Sequence, residues 1–300
     1  MSGQNTSILA TDYNTIQSKI ATVLGVGSGT SGYGQPVTSI QVTQGTPILV
    51  SQWTALRNDL LKARNHQTTT DQSGQLTVIT NTTQVKESDR AAYDSMAELI
   101  IVNKLITPPS GQGTLADVAT SSRTSAWNGT ISHVVTATFP NYDSARAFFN
   151  SGGNFQFSGS QSGGSNTAIG SKNDSWNKML SNMGTITFDY GSTSDAGTTP
   201  GTVASSIGYY QLTTVNQLIF TKSTENSSYS PNQYDISAKI NAAGSVITFT
   251  IHFADLSGQP NAPYGTDENV DGTLISQVQA YYATGTNVAV SLPAVSSVGP

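Results

Sequence analysis

The sequence predicts an α+β protein: a helical N-terminal region followed by an antiparallel β-sandwich or jelly-roll-like domain. Two periodicities carry that expectation. Apolar residues recur at helical spacing up to about residue 107, and from about residue 125 they alternate with polar ones at a period of two. Composition agrees: only 10% of residues are charged against 36% hydrophobic, so Ser, Thr, Asn and Gly must form the surface and turns, as they do in β-rich architectures.

Three helices are expected in the first region. Asp12 is the expected cap of the first, whose apolar face is Tyr13, Ile16, Ile20, Val23 and Leu24, with Gly25 ending it. Glycines at 25, 27, 29, 32 and 34 make the following segment a loop, and Val37–Val42 reads as a short strand. Ser51 is the expected cap of a second helix with Trp53, Leu56, Leu60, Leu61 and Ala63 on one face. Ser88 is the expected cap of a third with Tyr93, Met96, Ala97, Ile100 and Ile101, stopped by Pro108 and Pro109. Such helices either form a small bundle or lay their stripes on another subunit. The second reading makes Tyr13, Ile16, Ile20, Trp53, Leu56, Leu60, Tyr93 and Ile100 interface residues.

The expected organisation is a helical docking region over 1–110, a Pro/Gly/Ser/Thr-rich linker over 111–124 and a sandwich domain over 125–300. Strands are expected at Val135–Phe139, Phe155–Phe157, Ile186–Tyr190, Leu218–Phe220, Tyr234–Ile240, Ile247–Phe253, Leu274–Tyr282 and Val288–Leu292. Asn241-Ala-Ala-Gly244 is a hairpin turn between two of them. Two helices, Ser144–Asn150 and Asp174–Asn182, interrupt the β region.

The chain has no cysteine, which excludes disulfides, thiolate metal sites and thiol nucleophiles. A net charge of −5 with scattered Lys and Arg lacks the basic footprint of a nucleic-acid binder. The start, Met-Ser-Gly-Gln-Asn-Thr-Ser, has no signal-peptide pattern, and no apolar run reaches the roughly 20 residues of a membrane helix.

Candidate chemistry is sparse. His66, His133 and His252 are far apart in sequence and form no metal or triad pattern. Asp267-Glu-Asn-Val-Asp271 offers oxygen ligands but lacks the distal glutamate of a calcium loop, so a solvated turn is the leading reading. Gly27-Ser-Gly29-Thr-Ser-Gly32 matches the bare dinucleotide-loop pattern, yet it follows a helix and lacks the lysine of a phosphate loop, so a tight connector is expected. Asn81, Asn128, Asn173 and Asn226 match the glycosylation pattern by chance in so Asn/Ser/Thr-rich a chain. The adjacent pairs Tyr209-Tyr210 and Tyr281-Tyr282 are expected to split between core and surface as strand neighbours. No catalytic residue, cofactor or metal site is expected, and the chain reads as a non-enzyme.

Two stretches carry a resemblance. The first runs from Asp12-Tyr-Asn-Thr-Ile16 through Val23-Leu-Gly25 and Gly32-Tyr-Gly-Gln35 to Trp53-Thr-Ala-Leu56 and Asn65-His-Gln67. The second is Ala145-Arg-Ala-Phe-Phe-Asn-Ser-Gly-Gly153 with Phe155-Gln-Phe157, Trp176 and Gly184-Thr-Ile186. Together, over about a third of the chain, they resemble virion structural proteins of tailed bacteriophages, especially those of cyanobacteria. The resemblance implies a tail, fibre or neck component present in several copies, a homo-oligomer assembled in the host cytoplasm with other virion proteins as partners. The alternatives are a module binding a host receptor or glycan, a capsid-decorating protein, and a glycan depolymerase, for which Asp189, Asp255, Asp267, Glu268 and Asp271 are the available acids.

Overall fold

The computed structural model describes residues 8–106, 111–115, 119–257 and 269–300. Five α-helices and twelve strands are present among them: α1 (Ala10–Leu24), α2 (Val50–Thr68), α3 (Glu87–Val102), β1 (Gln112–Thr114), β2 (Ala119–Arg123), β3 (Gly129–Thr138), α4 (Tyr142–Asn150), β4 (Asn154–Ser162), α5 (Lys172–Met183), β5 (Ile186–Phe188), β6 (Thr193–Asp195), β7 (Thr202–Val203), β8 (Gln217–Ser223), β9 (Gln233–Ile240), β10 (Val246–Asp255), β11 (Thr273–Ala283) and β12 (Ala294–Val298). The α+β class and the order, helices first and antiparallel sheets after, are as the periodicities predict.

The chain divides into two compact units. One comprises Met1–Gly113, Arg146–Gly153 and Tyr282–Ser291, and the other Thr114–Ala145, Asn154–Tyr281 and Leu292–Pro300. Two short late segments therefore belong with the helices, which no local pattern announces. Residues 112–114 and 119–123 of the expected linker are strands.

In the helical unit the three apolar stripes face one another. Tyr13, Ile16, Ile20, Trp53, Leu56, Leu60, Tyr93 and Ile100 are all buried in one core, so the residues expected at an intersubunit interface are closed off inside the unit. The physical reason is aromatic fit. Trp53 stands edge-on to both Tyr13 and Tyr93, with ring centroids 5.4 and 5.2 Å away. Each such contact is worth about 1 kcal/mol beyond its burial.

The caps of the helices also lie two or three residues before the expected ones, at Leu9, Leu49 and Lys86. Asp12 sits inside α1 and accepts from the Leu9 N–H at 3.0 Å. Gln52 does the same for Leu49 at 2.7 Å, and Asp89 for Lys86 at 2.9 Å. One backward-reaching acceptor at the third helical position thus serves all three helices, and Ser51 and Ser88 are not caps.

Val37–Val42 is extended but joins no sheet. Side chains take the place of a partner strand: the Asn14 amide donates to the Val42 carbonyl at 2.9 Å and accepts from its N–H at 2.8 Å. Gln17 donates to the Ser39 carbonyl, and the buried Asp59 carboxylate accepts from the N–H groups of Thr38 and Ser39. Val288, expected in a last strand, lies instead in the helical core, and the last strand is β12.

The second unit is a sandwich. One sheet has the order β1-β11-β4-β5-β6, with β2 also on β11, and the other β12-β3-β10-β9-β8-β7. Phe249 of β10 carries the contact between them, with Phe155, Phe157 and Phe188 of the facing sheet at ring distances of 5.2, 5.0 and 5.3 Å. The Asn241–Gly244 hairpin is present. Asn241 Oδ1 accepts from the Ser245 and Val246 N–H groups, and Gly244 has φ +70°. In β8 the expected alternation fails because a bulge lies between Leu218 and Phe220. Ile219 and Phe220 are both buried while Leu218 is exposed. Tyr209 and Tyr210 lie in a 3₁₀ turn rather than a strand and pack on each other at 5.0 Å.

Candidate functional site: a glycine loop closed on an arginine

The glycine segment after α1 is folded by four left-handed residues. Gly27, Gly29, Gly32 and Gly34 have φ of +60°, +53°, +110° and +67°, a conformation that costs a side chain about 1 kcal/mol and glycine nothing. The loop returns to cover the end of α1. Tyr33, Gly34 and Gln35 donate their N–H groups to the carbonyls of Val23, Gly25 and Leu24 at 2.8 to 2.9 Å, which satisfies acceptors the helix end leaves open.

What fills the loop is the side chain of Arg146. Its Nη2 donates to the Ser31 carbonyl at 2.7 Å and its Nε to the Gly29 carbonyl at 3.1 Å. Asn150, one helical turn on, donates to the carbonyls of Gly32 at 3.1 Å and Gly29 at 3.3 Å. Arg146 is 3% exposed and Asn150 1%. The polarity is the reverse of a phosphate loop, where N–H groups point inward at an anion. Here carbonyl oxygens point inward at a guanidinium. The Gly-x-Gly-x-x-Gly pattern therefore does belong to a tight connector.

The same constellation gathers the rest of the motif residues. Gln67 donates to Tyr33 Oη and to the Ile100 carbonyl, both at 2.9 Å. His66 Nε2 donates to the Ser151 carbonyl at 3.1 Å, and its ring meets Tyr33 edge-on at 5.0 Å. Burial, opposed by the Ser151 bond, lowers the His66 pKa to about 4, so the ring is neutral at pH 7. Burial pushes the Tyr33 hydroxyl well above its ordinary value. Gln35 spans the Tyr33 and Ala289 carbonyls and accepts from the Ala289 N–H. After α4 the turn needs glycine twice for different reasons. Gly152 has φ +95°, whereas at Gly153 an added Cβ would stand 2.5 Å from Phe148 Cε1. The positive φ of this turn thus falls at Gly152, and Gly153 is required for space.

No protein-family model, no curated protein and no solved structure matches this chain.

The remaining sequence candidates are dispersed and already engaged. His133 is buried between the sheets with Nδ1 2.9 Å from Ser276 Oγ, and burial lowers its pKa. His252 faces Asp235 across β9 and β10 on the outer side. Asp189 accepts from Gly191 and Ser192 in its own turn. Asp267 and Glu268 of the acidic loop lie outside the described residues. Asp271 accepts from Asn173 Nδ2 at 2.5 Å and from the Ser165 N–H at 2.9 Å, bonds that hold its carboxyl below the usual carboxylate range. Its role is to pin the loop before α5. Among the described residues no three His, Asp or Glu side chains gather as metal ligands, and no helix is long and apolar enough to cross a membrane.

Sequence reasoning missed Arg146, Asn150 and Asp59 as organising groups. A signal for Arg146 did exist: it is a lone cation on the amphipathic helix Tyr142–Asn150, within three residues of Phe148 and Phe149 on its apolar part. A charge in that setting must find acceptors.

Proposed function

We propose that this chain is a virion structural protein of a tailed bacteriophage, a tail or neck component acting through repeated protein–protein contacts. The observation that carries the proposal is the convergence of residues from both resembling stretches on one folded knot. Arg146 and Asn150 of the second stretch hold the carbonyls of Gly29, Ser31 and Gly32 around the first. Asn65-His-Gln67 closes on Tyr33 and Ser151. The residues that carry the resemblance are thus neighbours in this folded chain, which supports reading them as one unit.

The knot is built for rigidity. Its polar groups bind backbone, its histidine is neutral, and its donors point into protein. With the helical stripes closed inside their own core, the repeated contacts fall to the outward surfaces of a chain with only 10% charged residues. Contacts of that kind carry little Coulomb energy, so assembly is expected to change little with salt.

Two rival readings are weaker. Sugar-binding faces use exposed aromatic rings, but Trp53, Trp127 and Trp176 are buried and Tyr142 is the one large aromatic strongly exposed among the described residues. A depolymerase needs a pair of free carboxylates, whereas Asp189, Asp255 and Asp271 are each tied to local donors.

The test is the composition of purified particles. Peptides of this chain are expected in density-banded virions at several copies per particle, with antibody labelling at the tail or neck. A chain absent from banded particles, or one that cleaves host envelope glycans, overturns the proposal.

A further inference from the structure

At one end of the sandwich Lys172, the first residue of α5, meets Asp255, the last residue of β10. Nζ lies 3.1 Å from Oδ2, and the two side chains are 2% and 0% exposed. The surroundings are aromatic. The Tyr229 ring centroid is 5.9 Å from Nζ, and one turn along α5 and two residues back on β10 the buried Trp176 and Phe253 meet each other and Tyr234 ring to ring. On the other carboxylate oxygen, Ser257 Oγ donates to Oδ1 at 3.2 Å. Asn232 Oδ1 accepts from the N–H groups of Leu256 and Ser257, both at 2.8 Å, and fixes the chain just after Asp255.

We propose that Lys172 and Asp255 are joined by an intramolecular isopeptide bond, formed by condensation of the two side chains after folding.

Three features of the site favour that chemistry. Two opposite charges without solvent are costly, and moving one proton from Nζ to Oδ2 removes both. Burial supports the same step, since it raises the Asp255 pKa against the opposing effect of Lys172. The product of that transfer is an amine beside a carboxylic acid, held in contact. Fixed proximity of this kind replaces an effective concentration of about 10⁵ M or more.

The step balances without any other reactant. The Nζ lone pair attacks Cγ, and the C–N bond forms as the Cγ–Oδ1 π electrons move onto Oδ1, where the Ser257 hydroxyl stabilises the negative charge. A second proton passes from Nζ to Oδ2, and the Cγ–Oδ2 bond breaks. Ammonium and carboxylate have become an amide and one water. A cleft of about 310 Å³ lined by Lys172, Asn173, Ser165 and Asp271 lies on the lysine side and would give that water an exit.

The bond would tie a helix at one sheet to a strand of the other across 83 residues of chain. A link of that span constrains the unfolded chain as a long-range disulfide does, in a protein that has no cysteine. This inference does not depend on the virion reading.

The experiment is peptide mapping of the purified full-length chain after denaturation. Trypsin does not cut after an amide-linked lysine. The expected result is a branched peptide containing Lys172 and Asp255, one water lighter than its two parts, with no cleavage after Lys172. Lys172→Arg keeps the charge but removes the nucleophile, and should restore separate peptides. Should that variant fail to fold, the wild-type map still decides. Recovery of the wild-type peptides as separate species, with cleavage after Lys172, overturns the proposal.

Discussion

Arg146 donates to the Ser31 carbonyl across 2.7 Å, and this bond ties a helix in the middle of the sequence to a loop 115 residues earlier. The guanidinium also reaches the Gly29 carbonyl. A planar fork suits several carbonyls at fixed angles, and an ammonium does not. Arg146→Ala is expected to destabilise the helical unit by about 3 kcal/mol, since charge-assisted bonds are lost and buried carbonyls are left open. Arg146→Lys should recover less than half of that. Guanidinium-induced unfolding of the two variants measures both. Equal stability of the lysine variant and the wild type would show that charge alone, and not the fork, holds the loop.

The loop glycines are not equivalent, and the difference is predictable. At Gly32 a Cβ would collide with the Val26 carbonyl, and the backbone there has φ +110°. At Gly29 a Cβ would meet nothing within 4 Å, and φ is +53°, which a side chain tolerates for about 1 kcal/mol. Gly32→Ala should therefore abolish the soluble folded unit or cost more than about 3 kcal/mol, while Gly29→Ala should cost about 1 kcal/mol. Gly153→Ala belongs with the first, because Phe148 must leave its place. Thermal unfolding of the three variants gives the ranking, and a Gly32→Ala protein as stable as Gly29→Ala would refute it.

The elements legible in the sequence are those whose period is intact. Tyr13, Ile16 and Ile20 mark α1 because a helix with one buried face needs that spacing, and Ile247, Phe249 and Ile251 mark β10 because a sheet with one buried face needs alternation. The pattern fails where the backbone leaves its regular path. One extra residue in β8 puts Ile219 and Phe220 on the same side. Val288 is apolar in an alternating run, yet it serves a different core from β12. The site is less legible still. The Gly-x-Gly-x-x-Gly pattern shows a tight loop, but the polarity of that loop depends on Arg146, more than a hundred residues away. Nothing in a local window says whether amides or carbonyls point inward.

The extended segment after the loop supplies another test. Asn14 makes a paired bond to the Val42 backbone, as a neighbouring strand would. Asn14→Ala removes both bonds and leaves a half-buried backbone amide without a protein partner, a loss of about 1 to 3 kcal/mol. Asn14→Asp keeps only the acceptor and should fall between the two. Hydrogen exchange of the Val42 amide reads the bond directly. Unchanged protection in the alanine variant would mean that packing, not the Asn14 side chain, holds the segment.

The neutral, buried His66 gives the helical unit a defined response to acid. Its folded pKa is about 4 against an ordinary value of 6.5. Between those values the unfolded chain binds a proton that the folded chain refuses. Stability therefore falls as pH drops from about 6.5 to about 4, is flat above that window and levels below it. The shift corresponds to about 3 kcal/mol in full, most of it lost by pH 4.5. His133, also lowered by burial, acts in the same direction, so the wild type must be compared with His66→Gln, which keeps a donor for Ser151 but does not titrate. Asp174 and Asp271, held below the usual carboxylate range, lose their contributions only at lower pH. Denaturant unfolding at pH 7 and pH 4.5 should show the wild type losing about 2 to 3 kcal/mol more than His66→Gln. Equal losses in the two proteins would place the proton elsewhere and mean that His66 already accepts one in the folded chain.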